Sequence, residues 1–201
     1  LHLSIRRQRQ MCIRDRAAGG GAADTARTSL TPHDWIAAAT EVLVDQGIDH
    51  VRVDVLAGQL RVTRGSFYWH FRDRDDLLRR VLEAWSDHST AQLTHRLEGA
   101  HDDPREQLRD ILSLPFRGRS ATRQARIELA IRAWARRDAM ARQAMDASDA
   151  RRMAYIGQVF AALGHSAAES RFRAFAAYAY VVGESLMAGQ SDGPQVRAER
   201  A

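Results

Sequence analysis

Nine consecutive residues, Thr63-Arg64-Gly65-Ser66-Phe67-Tyr68-Trp69-His70-Phe71, hold the side chains best suited to chemistry with another molecule. Small residues stand first and aromatic residues last. At a helix start, unbonded N–H groups turn partial positive charge toward an anion. Thr63 and Ser66 add short hydroxyl donors, and Gly65 lets the backbone come close to a phosphate. Arg64 has the paired donors that suit a guanine edge. Tyr68 and His70 donate to phosphates while their rings touch sugars or thymine methyls, and Trp69 lies between them. Arg52 and Arg74 flank the run as phosphate partners. The chemistry is binding to double-stranded DNA. Phe67 and Phe71, four residues apart, share a helical face and are expected in the core.

Catalytic, metal and cofactor chemistry finds no comparable pattern. No nucleophile stands in a Gly-flanked turn, and no Gly-rich loop is built to cradle phosphate. His88, His95 and His101 are spaced by seven and six residues, not the four of a helical metal site, and read as surface residues. The single cysteine, Cys12, allows neither a disulfide framework nor a cysteine metal site. The expectation is a protein with no catalytic residues, no metal and no cofactor.

The elements that must position these residues announce their own starts. Thr31-Pro32-His33-Asp34 reads as N-cap, N1 proline and N3 acid, with Leu30 and Trp35 at the staple positions. Ile36, Ala39, Val42 and Leu43 continue the helix, and Gly47 stops it. A short helix over Asp54–Leu60, a three-residue turn Arg61-Val62-Thr63 and a helix from Arg64 to about Phe71 have the spacing of a helix-turn-helix. Asp73 caps a long helix running to Gly99. Further helices are expected over Pro104–Phe116, Ala121–Arg137, Asp138–Leu163 and from a Ser166–Glu169 capping box to about Ala188. No period-two alternation suggests a strand, so the chain is all-α.

Residues 53 to 78 resemble the DNA-binding domain of TetR-family transcriptional regulators. The resemblance rests on Leu56-Ala57, Val62-Thr63, Tyr68-Trp69-His70-Phe71, Arg74 and Leu77-Leu78 in one helical frame. It implies an N-terminal three-helix helix-turn-helix DNA-binding domain over residues 30–76. A larger helical-bundle ligand-binding and dimerisation domain follows over 77–190, then a tail over 191–201. It implies a cytoplasmic, ligand-released repressor that binds a palindromic double-stranded DNA operator as a homodimer. One departure stands in the turn, where the family usually has Gly and this chain has Arg61. A side chain in the left-handed conformation costs on the order of 1 kcal/mol. The alternative reading is a TetR-like helical dimer with degenerate or non-specific DNA binding.

In the larger domain, Trp85, Phe116, Trp134, Tyr155, Phe160 and Phe175 fall on expected core faces. The resemblance implies that some of them line a pocket for a small apolar effector. The last helix is apolar almost all round, with Phe172, Phe175, Ala176, Ala179, Val182, Gly183 and Leu186 on one side. Such a helix must bury both sides. With Tyr155, Ile156, Val159 and Phe160 of the helix before it, it is expected to build a homodimer through the last two helices.

Bulk composition adds limits. The chain has 201 residues, 45% of them hydrophobic, enough for a real core. No apolar run approaches the roughly 18 residues of a membrane span. Residues 1–29 read as a disordered or non-native leader, because Leu1–Arg16 has no useful period and Ala17–Ser29 is rich in Gly, Ala and Thr. Residues 1–30 hold six Arg and two Asp, which supplies four of the five net positive charges. The DNA expectation therefore rests on local pattern and not on overall charge.

Overall fold

The computed structural model describes residues 30–98, 102–116 and 118–187, with side chains throughout except at 89–98, 116, 118 and 119. The expected leader and tail lie outside these residues. Among the described residues eight α-helices follow one another: α1 Pro32–Gln46, α2 Val53–Gln59, α3 Arg64–Tyr68, α4 Arg74–Glu98, α5 Pro104–Ser113, α6 Gly118–Ala135, α7 Ala139–Ala162 and α8 Ala167–Met187. Short 3-10 turns cover Ile48–His50 and Leu114–Phe116. The described residues include no strand, and the fold is all-α.

Local chemistry explains where these helices begin. Asp34 Oδ2 accepts from both the N–H and the hydroxyl of Thr31, each at 2.7 Å. These bonds, the backbone one first, hold the Asp34 carboxyl below its ordinary range. Asp73 caps α4 by accepting from Asp76 N–H at 2.7 Å, and Asp103 caps α5 by accepting from Arg105 N–H at 2.9 Å. Ser166 and Glu169 close the reciprocal box that opens α8, at 2.8 Å between hydroxyl and carboxylate. Each cap satisfies backbone donors that a helix start otherwise leaves unpaired.

Helix α4 packs against both α1 and α7, and two groups of buried residues are built around these helices. The first is built from Trp35, Val42 and Leu43 of α1, Leu56 of α2, Phe67 of α3 and Leu77 and Val81 of α4, all buried. Phe67 is its centre. It meets Trp35 edge-on at 5.4 Å between ring centroids and stacks on Phe71 at 5.2 Å. Aromatic pairs of this kind add about 0.5–1.5 kcal/mol each beyond the burial itself. The second core joins Ile111 of α5, Ile156, Val159 and Phe160 of α7, and Ala174, Ala177 and Tyr178 of α8.

Two expectations change here. The recognition helix ends at Tyr68, short of the expected Phe71, where the last turn tightens and His70 N–H donates to Phe67 O three residues back at 2.9 Å. The face of α8 also differs. Ser170, Ala174, Ala177 and Tyr178 point inward, whereas Phe175 is 61% exposed and Phe172 73%. The inner side is mostly small, and Ala174 faces Gly157 of α7, where an added Cβ would stand 3.9 Å from the Ala174 Cβ, an ordinary contact. Ile156, Val159 and Phe160, expected at an interface between copies, are buried within this chain instead.

Candidate nucleic-acid interface

The turn between α2 and α3 is closed by backbone bonds. Arg61 N–H donates to Gly58 O at 3.2 Å and Val62 N–H to Ala57 O at 3.0 Å. This is the Schellman pattern, which asks for a left-handed residue at the position Arg61 fills. Arg61 has φ +56° and is the only non-glycine with positive φ among the described residues. The strain anticipated from the sequence is therefore present, and the turn forms despite it. The guanidinium of Arg61 has no acidic partner among the described residues, nor does that of Arg64.

Helix α3 hangs from this turn by one buried residue. Phe67 is fully buried, while Arg64, Gly65, Tyr68 and Trp69 are exposed. Ser66 and His70 are half-buried. Tyr68 is 63% exposed and Trp69 88%, which is uncommon for aromatic rings unless something else covers them. Thr63, also exposed, takes the N-cap place with its carbonyl, which accepts from Ser66 N–H at 3.0 Å. Its hydroxyl makes no capping bond. At Gly65 an added Cβ would meet only Thr63 Oγ1, at 3.7 Å, so packing within the chain does not demand the glycine. The exposed surface of α3 thus holds donors, rings and an open backbone on a rigid aromatic base.

Two flanking cations are placed otherwise than expected. Arg74 turns inward, donating from Nε to Val51 O at 2.6 Å and from Nη2 to Ile48 O at 2.8 Å. It ties the start of α4 to the segment between α1 and α2, and two of its five N–H donors are engaged there. Arg52 pairs with Asp54 at 2.8 Å, both exposed, an arrangement worth little in water. Asp76 is the one buried carboxylate nearby. It accepts from Arg72 N–H at 3.2 Å and Arg79 at 3.1 Å, and the Arg72 bond leads in keeping its carboxyl low.

Residues of α4 to α8 line a cavity of about 190 Å³. Trp85 lines it, as do His88, Ile111, Val181 and Val182. Of the other five residues expected there, Trp134 and Phe160 are buried and Tyr155 partly so, but none reaches the wall. Phe175 faces outward, and the side chain of Phe116 lies outside the described residues. One wall is polar, and sequence reasoning missed it. Arg132 donates to Glu128 at 2.7 Å and to both oxygens of Asp149 at 2.9 and 3.0 Å. Arg152 donates to Glu128 at 2.9 Å and to Tyr178 OH at 2.8 Å. Tyr178 OH donates to Asp149 at 2.6 Å. Burial, then the charge of Glu128, pushes the phenol well above its ordinary value. Burial opposes the charge on Arg132, but the hydrogen bond to Asp149 and the charge of Glu128 more than offset it.

Among the described residues no group of three His, Cys, Asp or Glu side chains could hold a metal ion. The side chain of His95, and the whole of His101, lie outside them. No helix of the described residues is long and apolar enough to cross a membrane.

Comparisons with known proteins agree with this geometry. Residues 36–81 match the family model for bacterial regulatory proteins of the tetR family. The class A tetracycline repressor protein from transposon 1721 of Escherichia coli is 36% identical over 81 residues, 40% of this chain and 36% of that protein. The chain thus spans about a third of the length of that relative. A transcriptional regulator from Rhodococcus sp. Rha1 has the same fold, with TM-score 0.68, 20% identity, and coverage of 85% of this chain and 91% of that one. A Saccharomonospora viridis structure in complex with choline also shares it, with TM-score 0.68, 15% identity, and coverage of 84% and 92%.

Proposed function

We propose, for a chain whose N-terminal domain belongs to the tetR family of bacterial regulatory proteins, that it is a transcriptional regulator binding DNA through α3. The observation that carries this is the pairing of a fully buried Phe67 with exposed Tyr68 and Trp69 on a five-residue helix. Thr63, Arg64, Gly65, Ser66, Tyr68, Trp69 and His70 form the contact surface in this reading, with Arg64 on a base edge. Arg61 adds a phosphate contact from the turn.

The finer reading is a repressor that binds a palindromic operator as a homodimer and is released by a small ligand. The division into a DNA-binding domain over 30–76 and a regulatory domain over 77–190 belongs to it. Support for the dimer comes from α8, whose outer face exposes Phe172, Phe175, Leu186 and Met187. An apolar face of this kind is normally covered. Two recognition helices related by a two-fold axis then read half-sites about one helical turn apart. Support for release comes from the cavity beside α4, from the similarity to a tetracycline repressor, and from the fold shared with a regulator solved in complex with choline.

Selection of bound duplexes from a random pool, with a chain beginning at Ala22, tests the reading. Recovery of a palindrome is expected, and sedimentation at micromolar concentration should give a dimer. Selection without enrichment, or a monomer, would contradict it.

A further inference from the structure

The cavity of the larger domain has a charge-balanced wall, and that balance restricts what can sit against it. We infer that the cavity takes an uncharged ligand with an apolar body and a hydrogen-bond-accepting head, such as an ester, ketone or amide. The inference rests on the reading that this cavity is the effector site, and it names the class of effector.

Most of the lining is apolar, so a fully polar ligand would lose its hydration without replacement. At about 190 Å³ the space is smaller than the roughly 300–1,000 Å³ of most small-molecule sites. The polar wall is nearly saturated. Both oxygens of Glu128 accept from guanidinium groups, as do both of Asp149. Tyr178 OH donates once and accepts twice. Every nitrogen of Arg132 is engaged. Arg152 is the exception. Its side chain is 9% exposed, it lines the cavity, and its Nε and Nη2 have no partner among the described residues. Ser120, Gln124 and Ser185 also line the cavity, but within the charged network the unengaged groups are the Arg152 donors and no carboxylate or phenol oxygen is left to accept, so the part of the ligand that meets the network must be an acceptor.

Charge decides among acceptors. Two guanidinium groups face two carboxylates, so the wall is neutral as it stands. A carboxylate ligand would bring an uncompensated negative charge into this half-closed, largely apolar space. A cationic ligand meets a different obstacle. The Arg152 guanidinium already lies over the rings of Trp85 and Tyr178, at 5.6 and 5.9 Å, and occupies the aromatic faces that would attract a cation.

The test is calorimetric titration of the full chain with three probes of matched length: methyl octanoate, octanoate and octylammonium. Methyl octanoate should bind most tightly, by about tenfold or more over each charged probe, the effect of one added buried charge or unmade hydrogen bond. Arg152→Lys keeps the charge beside Glu128 but removes the unbonded donors, and should weaken the ester by about tenfold while leaving octanoate nearly unchanged. The ranking in the wild-type chain decides the question even if this variant does not fold. Tighter binding of octanoate or octylammonium overturns the neutral-ligand class and leaves the cavity as an effector site. Binding of none of the three overturns both the class and the ligand-release reading.

Discussion

The helices around Phe67 and the network around Tyr178 fix their neighbours in opposite ways. Helix α3 has five residues, far too few to be stable alone, and it is held by stacked rings in a dry core. Packing of that kind is short-ranged and leaves one answer for where Tyr68 and Trp69 point. Helices α6, α7 and α8 are instead joined by two arginines, two acids and a phenol beside a cavity. Such a network is specific but adjustable, because a ligand can compete for its bonds. In the proposed reading α3 is the rigid reader and the network the adjustable sensor, and α4 packs against helices of both regions.

Phe67→Ala breaks the comparison most severely. It removes the ring shared by Trp35 and Phe71 and should cost about 3–5 kcal/mol by denaturant titration. DNA binding should vanish with the α1–α3 packing. A small loss would mean that α3 is held by something other than its aromatic base. Arg74→Ala comes next. Its bonds to Ile48 O and Val51 O are charge-assisted, and their loss should destabilise by about 1.5–3 kcal/mol. If stability held and the salt dependence of DNA binding fell instead, Arg74 would be a phosphate contact after all.

Tyr178→Phe probes the other region. Without the hydroxyl, Arg152 and Asp149 each lose a partner in a buried site, at about 1–3 kcal/mol. The expected loss falls on the larger domain, with operator affinity little changed in the absence of ligand. Arg61→Gly should raise stability by about 1 kcal/mol, since glycine adopts φ +56° without strain. No gain would show that the Arg61 side chain compensates through contacts of its own.

Acid sharpens the picture least. The Asp34 and Glu169 carboxyls are held below their ordinary values of 3.8 and 4.5, chiefly by bonds from Thr31 and Ser166 respectively. A lowered value means stabilisation that is fully present above about 4.5 and lost as pH falls below these values. Asp34→Asn and Glu169→Gln should each flatten the acid limb of a stability curve and change little at neutral pH. An unchanged acid limb would assign that loss to other carboxylates.

Much of this was legible because it is local. The Thr31–Asp34 and Ser166–Glu169 boxes, the Asp103-Pro104 start and the Arg61 strain all depend on residues within a few positions of one another. Arg74 was not legible in the same way, since its acceptors are carbonyls 23 and 26 residues earlier. The network was hidden for a related reason: Arg132 and Tyr178 are 46 residues apart, and nothing in a chain of 30 arginines and 25 acids says which will pair. Phe175 was misplaced because α8 is apolar almost all round. Its inward face carries Ser170, Ala174, Ala177 and Tyr178, which hydrophobicity alone does not pick out.

The central claim is that the exposed surface of α3 reads sequence. Its most direct test is the ratio of affinities, at physiological salt, for a selected palindrome and a scrambled duplex of the same length. A specific reader should favour the palindrome by roughly 10³–10⁷, and Tyr68→Ala with Trp69→Ala should collapse that ratio while the chain stays folded. A ratio near one in the unmodified protein would contradict the account, and would leave α3 as a surface that binds DNA without reading it.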